Sequence, residues 1–122
     1  MRIKKMNRDF SVCRVADYTL VNFNADYCFI EKTEEENSLV CMTEDVPANT
    51  TEREDGWKAF RIEGVSDFSL IGILAGIAGV LAEHGISIFA VSTYNTDYVL
   101  IKRESYGKAL EILGGAGYEI VE

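Results

Sequence analysis

The sequence predicts an α+β protein whose second half runs βαββαβ, a four-stranded antiparallel sheet with both helices on one face. Three observations predict it. From residue 57 onward the hydrophobic periodicity alternates between two and 3.6 residues. Glycines punctuate each change, at Gly56, Gly64, Gly85, Gly114 and Gly115. A chain of 122 residues that is 48% hydrophobic and 26% charged can also bury a core, and it has the composition of a globular protein rather than a disordered one.

The elements follow in order. Residues 57–62 read as a strand, with Trp57, Ala59 and Arg61 alternating with Lys58, Phe60 and Ile62. Residues 65–69 turn, and carry two good helix N-caps in Asp67 and Ser69. Leu70, Leu74, Ile77 and Leu81 then form a helical stripe that Gly85 stops in a left-handed conformation. Residues 86–93 are strand-like, residues 94–97 have turn chemistry, and residues 98–102 return as the other arm of a hairpin. Tyr106, Leu110 and Leu113 make a second stripe ending at Gly114 and Gly115, and residues 118–121 are the last strand. Right-handed crossovers place both helices on one face, the ferredoxin-like arrangement.

The first half echoes this module. Residues 10–15 align with residues 57–62, aromatic on aromatic and Arg14 on Arg61, and residues 28–33 and 38–42 resemble the later hairpin. Chance similarity of short strands is the alternative. No long helix is visible over residues 16–27, and the acidic residues 44–55, broken by Pro47, hold a short helix or link the halves. The expected domains are a degenerate copy over 1–56, with a solvated N-terminal arm and an acidic linker, and a complete copy over 57–122.

Composition excludes several functions. A formal net charge of −8 argues against nucleic acid, since phosphate binding needs a basic stripe; Phe60 and Tyr98 would offer stacking rings but no basic surroundings. The basic residues Arg2, Lys4, Lys5 and Arg8 are not followed by an apolar stretch of the secretory kind. The longest non-polar run, residues 70–82, is shorter than the ~20 residues of a membrane span. Cys13, Cys28 and Cys41 lack paired spacing and sit in apolar runs, as reduced packing thiols of a cytoplasmic protein do; a three-thiolate metal site would require their strands to be adjacent. The single histidine, His84, falls at a helix C-terminus, where a cation complements the dipole, so no catalytic dyad or metal site is proposed. Glu34, Glu35 and Glu36 are consecutive and read as a solvated tip. Gly72, Gly76 and Gly79 have no phosphate-loop spacing; they leave one helix face bare for close packing within the chain, or for another chain. No enzyme and no cofactor are expected.

The informative segment is Asp67, Phe68, Ser69, Leu70, Ile71 and Gly72. It enters a helix N-terminus, where unpaired N–H groups and the dipole favour an anion. A carboxylate docked there beside Ser69, with Asp67 facing an ammonium, describes a free amino acid. Plain capping by Asp67 or Ser69 is the competing reading.

Residues 57–122 resemble the ACT domain, most closely its aspartokinase-like subgroup of short, stand-alone, two-copy proteins, with arginine sensors of animals as distant look-alikes. The resemblance rests on residues 67–74, 85–94 and 96–100. It implies side-by-side pairing of domains into merged sheets with helices on one face, and an effector amino acid at the seam. Carried onto this chain it implies contacts from Asp67, Phe68, Ser69, Leu70, Ile71 and Gly72 on one side and Ile86, Ser87 and Ile88 on the other. The first loop departs from the family's common proline–glycine pair, having Phe68, Ser69 and Leu70 instead. The first copy has no counterpart of that loop, so a complete seam would draw on a second chain. The expectation is therefore a non-catalytic amino-acid-binding regulator, a homodimer that acts on a further protein. The alternative is an assembly module with no small-molecule ligand.

Overall fold

A computed structural model describes residues 2–63 and 70–122. Its elements are β1 (Arg2–Val15), β2 (Cys28–Lys32), β3 (Asn37–Met42), a 3₁₀ turn (Thr43–Asp45), β4 (Thr50–Glu63), α1 (Leu70–Glu83), β5 (Phe89–Ser92), β6 (Asp97–Lys102), α2 (Arg103–Gly115) and β7 (Glu119–Val121). No described helix is long and apolar enough to cross a membrane. The chain divides into two compact units whose boundaries fall inside β1, after Asn7, and inside β4, after Trp57.

The larger unit combines the chain up to Asn7 with Lys58–Glu122. Its strands run in the order β7-β1-β4-β6-β5. Ile3 of β1, Phe60 and Ile62 of β4, and Val99 and Ile101 of β6 share one core with Ile77 and Leu81 of α1 and Ala109, Leu110 and Leu113 of α2. Alternate strand residues thus meet both helices from the same side, which is the expected α+β, ferredoxin-like layering. The Tyr106 hydroxyl pins α2 to β4 by donating to the Ala59 carbonyl at 2.6 Å.

Both helices stop in the same way. Gly85 and Gly117 have φ of 71° and 103°, a region that strains any side chain bearing a Cβ. The following N–H reaches back five residues, from Ile86 to Leu81 O at 3.0 Å and from Tyr118 to Leu113 O at 3.1 Å. This is the Schellman closure, completed by Ile86 packing beside Leu81 in the core. One sequence expectation holds and one is corrected here. α2 ends at Gly115, at the glycine pair expected to stop it, and Gly117 just beyond supplies the left-handed residue of the closure. The strand expected from residue 86 begins at Phe89, because the Ile86 N–H is consumed by the helix stop.

The N-terminus needs a further correction. The basic segment expected as a solvated arm is strand, with Ile3 and Met6 buried. It lies between β4 and β7, so β7 pairs in parallel with β1 (Arg2↔Glu119, Ile3↔Ile120, Lys4↔Val121) instead of joining β4. Lys4 donates to the Glu122 backbone oxygen, and Lys5 pairs with the Glu122 carboxylate at 3.2 Å.

The smaller unit, Arg8–Trp57, orders its strands β2-β3-β1-β4. Its hairpin closes with the same turn hydrogen bond as the hairpin of the larger unit. Thr33 N–H donates to Glu36 O at 3.0 Å, as Thr93 N–H does to Thr96 O at 2.8 Å in the β5–β6 hairpin. Neither helix has a counterpart. Residues 16–27 close on themselves through side-chain turns, with Asp17 accepting from Thr19 N–H and Asn22 from Asn24 N–H. A 3₁₀ turn occupies Thr43–Asp45, and the supposed acidic linker from Thr50 is the first part of β4. Cys13, Val15, Leu39 and Cys41 form the core on one sheet face. Elsewhere in the unit the buried Phe10 ring meets Tyr27 edge-on, 5.7 Å between centroids.

Candidate functional site

Asp67, Phe68 and Ser69 lie outside the described residues. Leu70 and Ile71 open α1, and Gly72 is exposed in its first turn. At the other end of the helix, Ile86 is buried at 8% exposure, Ser87 is exposed and Ile88 packs against the core. The 14 residues of α1 separate the two groups by about 20 Å, at 1.5 Å per residue. Within one copy of the module they do not come together, so a ligand touching both would have to lie between two copies.

The glycine face of α1 is open. Gly72, Gly76 and Gly79 are exposed, and a Cβ at Gly72 or Gly79 would meet nothing within 4 Å. Only Gly76 has a close neighbour of those three, Tyr118 Oη, at 3.2 Å from the position of a Cβ. Tight packing within the chain, the expectation from the glycine spacing, therefore holds at one position of three. At the helix end the His84 ring is tied to its own turn, Nδ1 to Val80 O at 3.0 Å.

Asp97, at the first residue of β6, is 5% exposed and accepts a hydrogen bond from the Ser92 hydroxyl. Ser92 and Asp97 face each other across the hairpin. The bond fixes the turn between them, so this carboxylate has a structural partner of its own.

The smaller unit contains a cleft of about 660 Å³. Three segments line it: Arg14, Val15 and Ala16 at the end of β1, the turn from Lys32 to Asn37, and Thr51 with Glu52 on β4. Asn37 Nδ2 donates to Ala16 O at 2.9 Å, and Thr51 Oγ1 donates to Arg14 O at 3.0 Å. The lining carries two cations, Arg14 and Lys32, and four carboxylates, those of Glu34, Glu35, Glu36 and Glu52. An open cleft carrying both signs of charge suits a small zwitterion or cation. The glutamates are exposed at the hairpin tip, as expected; the cleft itself is not visible in the sequence, since its three segments meet only through the pairing of β1 with β3 and its neighbour β4.

The three cysteines lie on neighbouring strands, with Cys28 opposite Cys41 and Cys13 opposite Leu39. A hydrogen bond with Cys41 holds the Cys13 thiol below its ordinary value and pushes that of Cys41 up, and burial adds to the rise at Cys41. Burial raises Cys28 as well. Among the described residues no group of three His, Cys, Asp or Glu is placed to hold a metal ion.

A family model described as ACT domain matches residues 52–114, just over half of the 122 residues. The protein named Cytosolic arginine sensor for mTORC1 subunit 1, from Homo sapiens, is 40% identical over 58 residues, which is 47% of this chain and 18% of that protein. The match thus spans less than a fifth of that relative's length. Among solved structures, protein Atu0741 from Agobacterium tumefaciens is similar with a TM-score of 0.84 at 27% identity, covering 98% of this chain and 91% of that one. The regulatory subunit of aspartate kinase from Thermus thermophilus shares the fold with a TM-score of 0.59 at 13% identity, covering 94% of each chain.

Proposed function

The chain belongs to the ACT domain family, and from that premise we propose that it is a non-catalytic regulatory protein whose effector is a free amino acid. The observation that carries this reading is the family match over residues 52–114, which includes the segment from Asp67 to Gly72. In the proposed site the carboxylate of the effector meets the N-terminus of α1 and the Ser69 hydroxyl, and Asp67 takes the ammonium. Ile86, Ser87 and Ile88 of another copy complete the seam, because α1 holds the two groups about 20 Å apart within one copy. The functional unit is then a homodimer of a cytoplasmic protein. Ligand at the seam favours one packing of the domains, and a partner protein reads that packing. The effect is bounded by the ligand's difference in affinity for the two packings. Arginine is the first effector to test, since a relative bears that name.

The experiment is thermal unfolding against each common amino acid at millimolar concentration, with Asp67→Ala alongside. Ligand at about 100 times its Kd stabilises by about 2.7 kcal/mol, or roughly 10 °C in a chain of this size. A shift confined to one or two amino acids and lost in Asp67→Ala supports the reading. No shift with any of them overturns it.

One observation favours a second reading, an assembly module with no small ligand. Leu20 and Phe23 are 55% and 63% exposed, and Ile30 on the outer strand β2 is 38% exposed. Apolar side chains left in water in one small unit suit a protein partner. Leu20→Ser with Phe23→Ser would abolish association on that reading and leave ligand-induced stabilisation intact on the first.

A further inference from the structure

The β2–β3 hairpin sets Cys28 directly opposite Cys41. Its turn reveals what kind of pair this is. Thr33 N–H donates to Glu36 O, beside the cross-strand pair Lys32↔Asn37. In an antiparallel ladder, hydrogen-bonded and non-hydrogen-bonded pairs alternate. The hydrogen-bonded pairs are therefore Glu31↔Ser38 and Phe29↔Val40, and the others are Lys32↔Asn37, Ile30↔Leu39 and Cys28↔Cys41. Non-hydrogen-bonded pairs have Cα atoms about 4.5 Å apart with side chains on the same face, inside the roughly 4.4–6.8 Å span of a disulfide. Cys13 is placed differently. It faces Leu39 on β3 and so is offset from Cys41 rather than directly opposite it; its thiol is in hydrogen-bond contact with that of Cys41, which makes it the competing partner the test must separate.

Access to the two thiols is unequal. Cys41 is buried at 3% exposure, whereas Cys28 is half-buried on the outer strand of its unit's sheet. A small oxidant reaches Cys28 first, and the only thiol in bridging register with it is Cys41.

We propose that Cys28 and Cys41 are an oxidative modification site, closed by a peroxide into a reversible cross-strand disulfide. In the first step the Cys28 sulfur attacks one peroxide oxygen. The O–O bond breaks, hydroxide leaves and takes up a proton as water, and Cys28 becomes a sulfenic acid. In the second step the Cys41 sulfur attacks the Cys28 sulfur. The S–O bond breaks, the departing hydroxide takes the Cys41 proton as water, and the S–S bond forms. Two thiols are oxidised by two electrons and one hydrogen peroxide is reduced to two waters. The bridge ties β2, the outer strand, to β3 at the end of the hairpin away from its turn.

The test uses the full chain, reduced and then treated with stoichiometric hydrogen peroxide, alkylated under denaturing conditions and digested with trypsin. Cleavage after Arg8, Arg14, Lys32 and Arg53 puts the three cysteines on three separate peptides. The expected result is a peptide pair joined through Cys28 and Cys41, lighter by two hydrogens, with Cys13 fully alkylated and the link lost to dithiothreitol. The link forms also in Cys13→Ser, and is absent from Cys28→Ser and Cys41→Ser. Oxidised wild-type protein should unfold several degrees above the reduced form, with no such difference in Cys28→Ser. Three alkylated cysteines after treatment, a Cys13–Cys41 link, or Cys28 carried to sulfinic acid without a link would each overturn the proposal.

Discussion

The same substitution, glycine to alanine, should have opposite signs at Gly79 and Gly85. Gly79 lies inside α1, exposed, with nothing within 4 Å of where a Cβ would stand. Alanine there removes backbone freedom from the unfolded chain without a steric penalty, a gain of about 0.5–1 kcal/mol. Gly85 has φ of 71°, a conformation that costs a residue bearing a Cβ about 1–2 kcal/mol. Unfolding entropy of about 2.1 cal/mol/K per residue over this chain makes 1 kcal/mol worth about 4 °C in midpoint. Gly79→Ala should therefore unfold about 2–4 °C higher than wild type, and Gly85→Ala about 4–8 °C lower. Gly76→Ala falls between, since the Cβ would press on Tyr118 Oη at 3.2 Å and offset the helix gain. The assay is circular dichroism at 222 nm during heating, at several protein concentrations. A lowered midpoint for Gly79→Ala would refute the reasoning, and would mean that another chain covers this face of α1. A neutral Gly85→Ala would show that the helix stop does not depend on the left-handed residue.

Two other perturbations test the packing. Ser11 is fully buried and donates to Asp55 Oδ1 at 2.5 Å, so Ser11→Ala should lose about 1.5–3 kcal/mol, the range for a hydrogen bond to a charged group, seen as a lower urea midpoint with unchanged slope. Burial raises the Tyr106 phenol above its ordinary value. The unfolded chain then ionises first, so the stability this group contributes is complete below about pH 10 and declines as pH rises through the folded value. Tyr106→Phe should be less stable at neutral pH by about 1 kcal/mol, through the lost bond to Ala59 O, and should show a flatter alkaline limb in unfolding midpoint against pH.

The module in the second half was legible because its signals are local. Leu74, Ile77 and Leu81 recur at helical spacing, Gly85 supplies the stop, and the turn at residues 94–97 closes a hairpin. The role of β1 was not legible. Ile3 and Met6 are too sparse among Arg2, Lys4, Lys5 and Arg8 to show a period, and the strand is stabilised by partners more than a hundred residues away, at Glu119, Ile120 and Val121. The acidic stretch from Thr50 likewise forms strand without an apolar face of its own, with the Thr51 hydroxyl donating to Arg14 O and Arg53 paired with Asp55 at 3.0 Å. For the candidate site, the sequence offers the entry to α1 and the residues after Gly85. The charged cleft beside Arg14 escaped because Lys32, Glu36 and Thr51 meet only through strand pairing.

Sequence by itself determined the element types of the second half, the helix stop at Gly85 and the family, since each depends on neighbours within a few residues. Tertiary structure alone decided which strands lie side by side, that β7 joins β1 rather than β4, and that Cys28 faces Cys41 while Cys13 does not. Backbone hydrogen bonds between strands carry no side-chain identity. The pairing is therefore selected by burial summed over the whole core, and no local stretch of residues encodes that sum.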